Sequence, residues 1–521
     1  MSLFVIIFQT VSKIYPIVKI FKYTKRTTVD NIEPSNDTES TKKRSEQHEK
    51  RTDLSILLAS AMVMSMTACG GSNSSSDSSD ASSTSSSNTK SDDSSSGDKK
   101  KITITWRDDG TDIKVNPNYV AMQEAYENWD KKDEVELDFQ PITASEGDYF
   151  TKIALQLGDS STCPDLVCED TFQLPNDVAA GYLTDLSDYV SDWDTWNDGT
   201  FYEKMKEVVT TDGKVYGIPY CTDTRGLWYN REILTTAGVI AEGEDWQPKT
   251  WDDILDACAK IKDKCPDVVP FWCNSGVATG EATSMQTYEM LLYGTGERLI
   301  TDDGKWITDS QGIKDSLQFI SDIYTNGYGP SLSLVLNGSA STTSAQEYIP
   351  QEKLAISLDG IWITGNWKDT GASPYENYGE KMGWAAMPTQ NGDGDGSITL
   401  AGGWAYSIPE NSDNKDLTME FIEQLNTYDA YKTYIMQSGN TSVRTDIAED
   451  EEYASQPFMT QAAEFLDVAA FRPQNDQYST VSTSIQQMVE AVASGDTPEN
   501  AMKQYATSVA NAVGEENTTK Q

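Results

Sequence analysis

The stretch KITITWRDD at residues 101–109, taken with the chain up to residue 170, decides the fold. Residues 102–105 alternate apolar and polar side chains with a period of two, which predicts a strand. The predicted elements that follow are a helix with Tyr119, Met122, Tyr126 and Trp129 on one face, a strand at 135–139, a helix at 149–157 and a short buried strand at 165–168. Such a β-α-β-α-β series predicts parallel strands joined by right-handed crossovers.

The ends of these predicted strands point to a binding site. In sheets of this kind, ligands lie beyond the carboxyl ends of the strands. The residues at those ends are Trp106, Arg107 and Asp108 after the first strand, and Glu169 and Asp170 after the third. We therefore expect a ligand site near this edge of the sheet.

The folded region is expected to run from about 101 to 513, which is too long for one core and long enough for two lobes. Further along it, Thr250 and Asp253 predict the capped start of a helix. Residues 415–425 carry apolar side chains at helical spacing.

Residues 1–68 resemble a bacterial leader that ends at a lipidation site. The apolar run at 54–66 follows a basic stretch, is too short to span a bilayer and ends just before Cys69. We expect a lipidated Cys69 and, at 69–100, a disordered serine-rich linker. The alternative is an ordinary signal peptide that happens to precede a cysteine. A second apolar stretch further upstream leaves the translation start open.

Without the leader, the chain is strongly acidic and has no histidine. Residues 69–521 hold 30 Lys and Arg against 75 Asp and Glu, a formal charge of −45, which disfavours nucleic acid and anionic lipid as partners. The chain's one histidine, His48, lies in the leader. Its loss excludes Ser-His-Asp and Cys-His nucleophile systems and His-liganded metal sites. A catalytic pair of carboxylates, as in glycoside hydrolases, remains open.

Neither the cysteines nor the glycine-rich loop at 391–396 predicts a metal site. Six cysteines besides Cys69 permit disulfides, including a local pairing among the last three, but their spacing does not determine the pairing; they are Cys163, Cys168, Cys221, Cys258, Cys265 and Cys273. Their spacing matches no zinc motif. The loop is similar to half a calcium loop, but Gly402 stands where a glutamate would be required, so a flexible turn is expected. We expect no metal and no cofactor.

Aromatic, carboxylate and glycine residues are concentrated at 216–230, 359–362 and 401–408. Sugars present a rim of hydroxyl groups, which Asp, Asn and Arg bind, and apolar C–H faces, which Trp and Tyr rings cover. This mixture favours a neutral carbohydrate ligand. For any single aromatic residue the alternative is core packing. Trp404, which has glycines beside it, is the best candidate for ligand contact.

The order of five blocks resembles the family 1 extracellular solute-binding proteins, which are the maltose-binding-protein-like, sugar-binding lipoproteins of ABC importers. The blocks are the Cys69 lipidation motif, Pro164–Val167 with Ala179–Leu183 after it, Gly217–Asn230, Asp359–Trp362, and Gly402–Trp404 with a helix after it. Each block alone is a weak family signature, but the ordered combination is fairly specific. It covers nearly the whole folded region. The resemblance implies an α/β, type II periplasmic-binding-protein-like fold, with two lobes that are joined by crossing hinge strands and close on the ligand.

The resemblance also implies a division of the chain. The N-terminal lobe would comprise 101–222 plus 388–428, and the C-terminal lobe 223–387 plus 429–513. Residues 514–521 would form a polar tail. A monomer is expected.

Several site residues follow from the resemblance. Asp170 and Asp223 would bind sugar hydroxyls from the two sides of the cleft, Trp404 would stack on a sugar face beside Gly403, and Trp362 would line the cleft.

Three further residues are candidates for the site. Arg444 matches an arginine that some disaccharide binders of the family use on hydroxyls. Arg225 would either bind ligand or pair with a carboxylate across the hinge. Trp106 is a candidate from its place at a strand end.

The sequence therefore predicts a carbohydrate receptor that delivers a di- or oligosaccharide to an ABC permease and has no catalytic step. It would be anchored by its lipid at the extracellular face of the membrane of a Gram-positive host, where no outer membrane confines a free receptor. One alternative is a secreted glycoside hydrolase or lyase that uses two carboxylates. The other is a receptor for a non-sugar solute, such as a peptide or polyamine.

Overall fold

The structure is a computed structural model that describes residues 99–108, 110, 112–144 and 146–521. The predicted leader, Cys69 and all but the last two residues of the predicted linker lie outside the described residues. None of the helices in the described part combines the length and the apolar character needed to span a bilayer.

The described chain alternates short strands and helices. The strands are β1 (Lys100–Thr105), β2 (Arg107–Asp108), β3 (Val135–Phe139), β4 (Ile142–Thr143), β5 (Leu166–Asp170), β6 (Thr210–Thr211), β7 (Lys214–Val215), β8 (Ile218–Thr222), β9 (Arg225–Asn230), β10 (Val269–Trp272), β11 (Trp306–Asp309), β12 (Leu354–Gly360), β13 (Met382–Ala385), β14 (Met387–Pro388), β15 (Ser397–Ala401), β16 (Gly403–Ser407), β17 (Ala469–Phe471) and β18 (Thr518–Lys520). The α-helices are α1 (Pro117–Glu127), α2 (Glu146–Leu157), α3 (Leu174–Ala179), α4 (Ser187–Ser191), α5 (Asp194–Asn197), α6 (Glu203–Glu207), α7 (Arg231–Thr236), α8 (Trp251–Lys264), α9 (Glu281–Thr283), α10 (Met290–Gly294), α11 (Gln311–Thr325), α12 (Leu332–Val335), α13 (Ala340–Thr343), α14 (Thr364–Trp367), α15 (Tyr378–Lys381), α16 (Lys415–Leu425), α17 (Tyr428–Ser438), α18 (Thr445–Ala448), α19 (Glu451–Ala454), α20 (Met459–Phe465), α21 (Tyr478–Ala493) and α22 (Pro498–Val513). Single 3₁₀ turns lie at Ile113–Val115, Val277–Thr279, Ile361–Ile363, Leu466–Val468 and Glu515–Asn517, and π-helical turns at Ser284–Glu289 and Ser344–Tyr348.

The first large sheet has the strand order β3-β1-β5-β16-β8. β1 pairs in parallel with both β3 and β5, which confirms the predicted parallel series. β16 enters between β5 and β8 and runs antiparallel to both. A strand from late in the chain thus completes a sheet that the first part of the folded region begins.

The second large sheet has the order β10-β12-β9-β13. β10 and β12 are parallel, whereas β9 is antiparallel to both β12 and β13. β9 and β12 are buried along their whole length.

Two short segments leave the first sheet side by side, one towards the second sheet and the other towards a three-stranded sheet with the order β14-β15-β17. One joins β8 to β9 and the other, at Gly402, joins β15 to β16. The hydroxyl of Thr222 donates to the carbonyl of Gly402 over 2.7 Å, and the amide of Arg225 donates to the hydroxyl of Thr399, also over 2.7 Å. The predicted crossing strands are therefore present and hydrogen-bonded to each other.

Several helices, among them α1, α8 and α11, begin at a residue whose side chain caps the first turn. The predicted capping box is present at α8, where Thr250 and Asp253 each bond the other's backbone amide, and α16 has the predicted bounds. α17 packs against α1. Near the C-terminus, β18 pairs in parallel with β11, so part of the predicted polar tail supplies backbone hydrogen bonds to an edge strand. The six cysteines of the described residues carry free thiols.

Candidate functional site

A cavity of about 360 Å³ lies where the two crossing segments meet. Carboxylate, guanidinium and indole groups line it, and the residues that carry them include Asp170, Asp223, Arg225, Asp359, Trp362 and Trp404. All except Asp359 are among the residues that the sequence predicted for the site. The structure thus brings together side chains that are far apart in the chain.

Asp170 is the last residue of β5 and pairs with Trp404 in the adjacent strand. It is 5% exposed. Its Oδ1 accepts hydrogen bonds from the amide of Phe172 at 3.2 Å and from Nη2 of Arg472 at 2.8 Å. Burial raises the pKa of Asp170, and the positive charge of Arg472 opposes that rise.

Trp404 reaches the cavity because of the backbone at Gly403. Gly403 has a φ of +155°, and a Cβ at this position would lie 2.3 Å from the carbonyl oxygen of Cys221. Only glycine therefore lets β16 lie this close to β8. Gly403 itself is not a lining residue. Trp404 is half-buried, with its ring 6.1 Å from that of Tyr149, so one part of the indole remains open to the cavity.

Asp223 and Arg225 come from the crossing between β8 and β9. Nη1 of Arg225 pairs with Oδ1 of Asp223 and donates to the carbonyl of Leu400 at 3.0 Å. The same Asp223 oxygen accepts the amide of Gly402 at 2.9 Å. Arg225 thus pairs with a carboxylate at the hinge and also lines the cavity. Its Nε is buried without a hydrogen-bond partner among the described residues.

Trp362 faces Arg225 from the second sheet. The guanidinium carbon of Arg225 lies 4.8 Å from the centroid of the Trp362 ring, a cation–π contact. Trp362 follows β12 and folds back over Gly360, where a Cβ would overlap the ring at 1.7 Å. Glycine is therefore required for this placement of the indole.

Asp359 ends the same strand and is a carboxylate that the site prediction did not include. It is 2% exposed and accepts the amide of Gly360 at 2.8 Å. Burial raises the pKa of Asp359 to about 7, against the opposing effects of that hydrogen bond and of Arg225. The strand-end rule would have found it.

Besides Gly403, two predicted residues do not line the cavity. Trp106 is 1% exposed and packs against Phe139 with ring centroids 5.7 Å apart. Arg444 is 4% exposed, donates to both carboxylate oxygens of Asp446, at 3.0 and 2.6 Å, and pairs with the carbonyl of Asn426. Neither is among the lining residues.

The neighbours of these two residues do reach the cavity. Arg107 lines it in place of Trp106, and Ser438 and Asn440 line it in place of Arg444. The amide nitrogen of Asn440 donates to the hydroxyl of Tyr434 at 3.2 Å. The segment 438–444 therefore does reach the cavity, as the resemblance implied. The side chains that line the cavity are those of Ser438 and Asn440, and not that of Arg444.

Further lining residues have hydrogen-bonding side chains and gave no signal in the sequence: Asn116, Gln286, Asn366 and Gln437. Together with the carboxylates they can exchange many hydrogen bonds with a polyhydroxylated ligand, while Trp362 and Trp404 offer apolar ring surface. No group of three or more His, Cys, Asp or Glu side chains in the described residues is arranged to hold a metal ion.

The fold and the cavity between two sheets define a class, the two-lobe α/β binding proteins. An ABC transporter solute-binding protein from Thermotoga lettingae TMO, bound with α-D-tagatose, is 26% identical with a TM-score of 0.68 and is matched over 80% of this chain and 100% of that one. Maltose-bound MalE3 from T. maritima has the same fold, with 22% identity, a TM-score of 0.67 and coverage of 79% and 99%.

Sequence comparison narrows the class to a family. The profile of the bacterial extracellular solute-binding protein family matches residues 114–432. This chain belongs to that family. A lactose-binding protein from Rhizobium radiobacter is 24% identical over 337 residues, which is 62% of this chain and 72% of the relative. The maltodextrin-binding protein MdxE from Bacillus subtilis is 24% identical over 314 residues, 57% of this chain and 67% of the relative.

Proposed function

We propose that this chain is an extracellular carbohydrate receptor that binds a di- or oligosaccharide and delivers it to the permease of an ABC importer. The observation that carries this proposal is the cavity itself. It combines three carboxylates, Asp170, Asp223 and Asp359, with the indoles of Trp362 and Trp404. Carboxylates accept hydrogen bonds from sugar hydroxyls, and indoles cover the apolar faces of the ring.

The similar proteins support the same class of ligand. Their names refer to lactose, maltodextrin and, for a third relative from Halalkalibacterium halodurans that is 25% identical over 272 residues, arabinooligosaccharides. We propose that this chain likewise binds a neutral sugar and leaves it chemically unchanged.

Closure would occur at the paired crossings. In this proposal the lobes follow the sheets, so the first boundary lies between 222 and 223. The returning segment, placed at 388–428 from the sequence, would extend from 403 to 438, because β16 belongs to the first sheet and α17 packs against α1. A sugar that contacts both lobes binds the closed form more tightly than the open form, and therefore shifts the population towards it.

The sequence of the first hundred residues supports a proposal for the place of action. In our proposal Cys69 carries lipid and the serine-rich linker holds the receptor, as a monomer, near its permease on the outer face of a Gram-positive membrane. Treated as a flexible coil, the linker has a reach of roughly 30 Å.

A thermal-shift screen tests the ligand class. The protein is heated with neutral oligosaccharides, polyamines or short peptides, each at a concentration far above the expected Kd. Only a ligand that binds the native state raises the Tm, by the equivalent of about 2.7 kcal/mol at one hundred times Kd. We expect a rise with at least one oligosaccharide. A rise with polyamines or peptides alone would contradict the proposal.

The same mixtures test for catalysis. After incubation the sugars are separated by chromatography, and we expect them to be unchanged. Products of glycosidic cleavage would show that the carboxylates act as a hydrolase or lyase pair.

A further inference from the structure

Arg472 lies behind the cavity and contacts two carboxylates at once. It follows β17 and is 4% exposed on its side chain. Its Nη2 is 2.8 Å from Oδ1 of Asp170, and its Nη1 is 3.2 Å from Oε2 of Glu281. The guanidinium carbon also lies 4.1 Å from the ring centroid of Phe172. A planar fork with donors on two sides suits this bridging position, whereas a lysine ammonium presents a single point charge.

The two carboxylates belong to different parts of the fold. Asp170 ends β5 in the first sheet, lines the cavity and uses Oδ1 for Arg472 and for the amide of Phe172. Its Oδ2 is then the oxygen to offer to a ligand. The orientation of this oxygen depends on Arg472, because the ion pair and the amide fix the carboxylate plane.

Glu281 is anchored on the other side. Its Oε2 accepts the hydroxyl of Tyr478 at 2.9 Å, and its Oε1 accepts those of Ser284 at 3.1 Å and of Ser482. Tyr478 and Ser482 lie on α21, and Ser284 begins the π-helical turn. These hydrogen bonds hold Glu281 in place within the proposed C-terminal lobe.

We propose that Arg472 is a positioning residue that connects Asp170, the carboxylate proposed to bind the ligand, to the opposite lobe. The inference rests on the proposed function, in which 101–222 and 439–513 belong to different lobes. Arg472 holds Asp170 in the geometry that binds sugar, and the same guanidinium ties Asp170 to Glu281. The side chain of Arg472 then determines both how Asp170 contacts the ligand and how the two lobes contact each other.

A double-mutant cycle tests the proposal, with Arg472→Met, Asp170→Asn and the double variant. Calorimetry measures the affinity for a sugar that binds the wild type, and a thermal melt without sugar measures the Tm. We expect Arg472→Met to weaken binding at least about tenfold, since it leaves a buried carboxylate unpaired. In the Asp170→Asn background, Arg472→Met should have a clearly smaller effect on both affinity and Tm.

Two further variants distinguish positioning from general damage. Arg472→Lys keeps the charge and should recover part of the affinity, and it also serves if the methionine variant does not fold. Arg231→Met is the control, because Arg231 makes an ion pair with Asp245 outside the cavity, and its affinity should equal that of the wild type.

The outcomes separate the two claims. If the wild type binds sugar and the effects of the two substitutions on affinity simply add, or Arg472→Met binds as the wild type does, the positioning role is overturned. If no sugar binds to the wild type, the proposed function fails. The thermal melts without sugar then still test whether Asp170 and Arg472 interact. If the fall in Tm of the double variant equals the sum of the falls of the two single variants, the two residues do not interact.

Discussion

Trp404 shows how the residue before a cavity-lining side chain can decide its position. Its indole is presented by β16, which approaches β8 closely only because Gly403 has no Cβ. Trp362 depends on Gly360 in the same way. At each position, a glycine lets the indole reach the cavity.

Replacing Trp404 with alanine should weaken sugar binding at least about tenfold, because the stacking surface is lost. Calorimetric titration gives the affinity. Trp193→Ala is the matched control, since Trp193 is a half-buried tryptophan that packs against Phe201 and does not line the cavity. Unchanged affinity for the Trp404 variant would remove this ring from the site.

Asp359 should make the stability of the fold depend on pH. Burial raises the pKa of its carboxyl group from 3.8 to about 7, so the folded state keeps the proton that the unfolded state releases. The free energy of unfolding therefore falls as the pH rises from about 4 to 7, by up to roughly 4 kcal/mol from this group.

Denaturant melts over this pH range check the effect. Asp359→Asn cannot ionise, so its free energy of unfolding should depend less on pH than that of the wild type. Asp393→Asn, at an exposed loop position, should follow the wild-type curve. Identical pH dependence in Asp359→Asn and the wild type would contradict this account of Asp359.

The residues that the sequence did and did not identify differ in their physical setting. Asp170 lies at a strand end and Trp404 lies beside glycines. Strand ends and glycines can each be recognised from a few neighbouring residues of the sequence. Trp106 satisfied the same strand-end rule, but the side chain that faces the cavity is that of the next residue, Arg107. A shift of one residue in a strand turns the side chain to the other face. Lining residues such as Asn366 depend on tertiary contacts that leave no pattern in the sequence.

At the scale of elements, strands with one partly exposed face and amphipathic helices were predictable. β1, β3 and α16 appear where periodicity placed them. The insertion of β16 between β5 and β8 was not predictable from periodicity, because the paired residues lie 181–188 positions apart for β8 and 234–240 positions apart for β5. The crossing strands were predicted from the family resemblance and not from periodicity.

The β16–β8 pairing should be sensitive to Gly403. Replacing Gly403 with alanine brings a Cβ to 2.3 Å from a backbone oxygen, so the strands must separate. We expect the free energy of unfolding to fall by at least about 2 kcal/mol, and sugar affinity to fall as Trp404 moves. Gly147→Ala is the control, since a Cβ there meets no atom within 4 Å. Equal stability of the two variants, measured by denaturant melts, would show that the close approach is not needed.

At the scale of the whole molecule, the crossing between β8 and β9 joins the two large sheets and also lines the cavity. Asp223 and Arg225 lie within the hinge region and also line the cavity. A ligand that bonds to them therefore acts on the segments about which the lobes would rotate. This arrangement gives a physical basis for coupling between binding and closure.

The proposed membrane anchor is tested by Cys69→Ser. We expect this variant to incorporate no palmitate label and to leave the membrane fraction, because serine has no thiol to be lipidated. Cys163→Ser, at a partly buried cysteine of the folded region, should remain labelled and membrane-bound. Equal labelling of both variants would contradict lipidation at Cys69.

The most direct test of the central claim is a calorimetric titration of the purified protein with the oligosaccharide selected by the thermal-shift screen, followed by chromatography of the sugar. We predict saturable binding of one ligand per chain and complete recovery of the intact sugar. Absence of binding to any neutral sugar, or recovery of cleaved sugar, would contradict the account of this chain as a carbohydrate receptor.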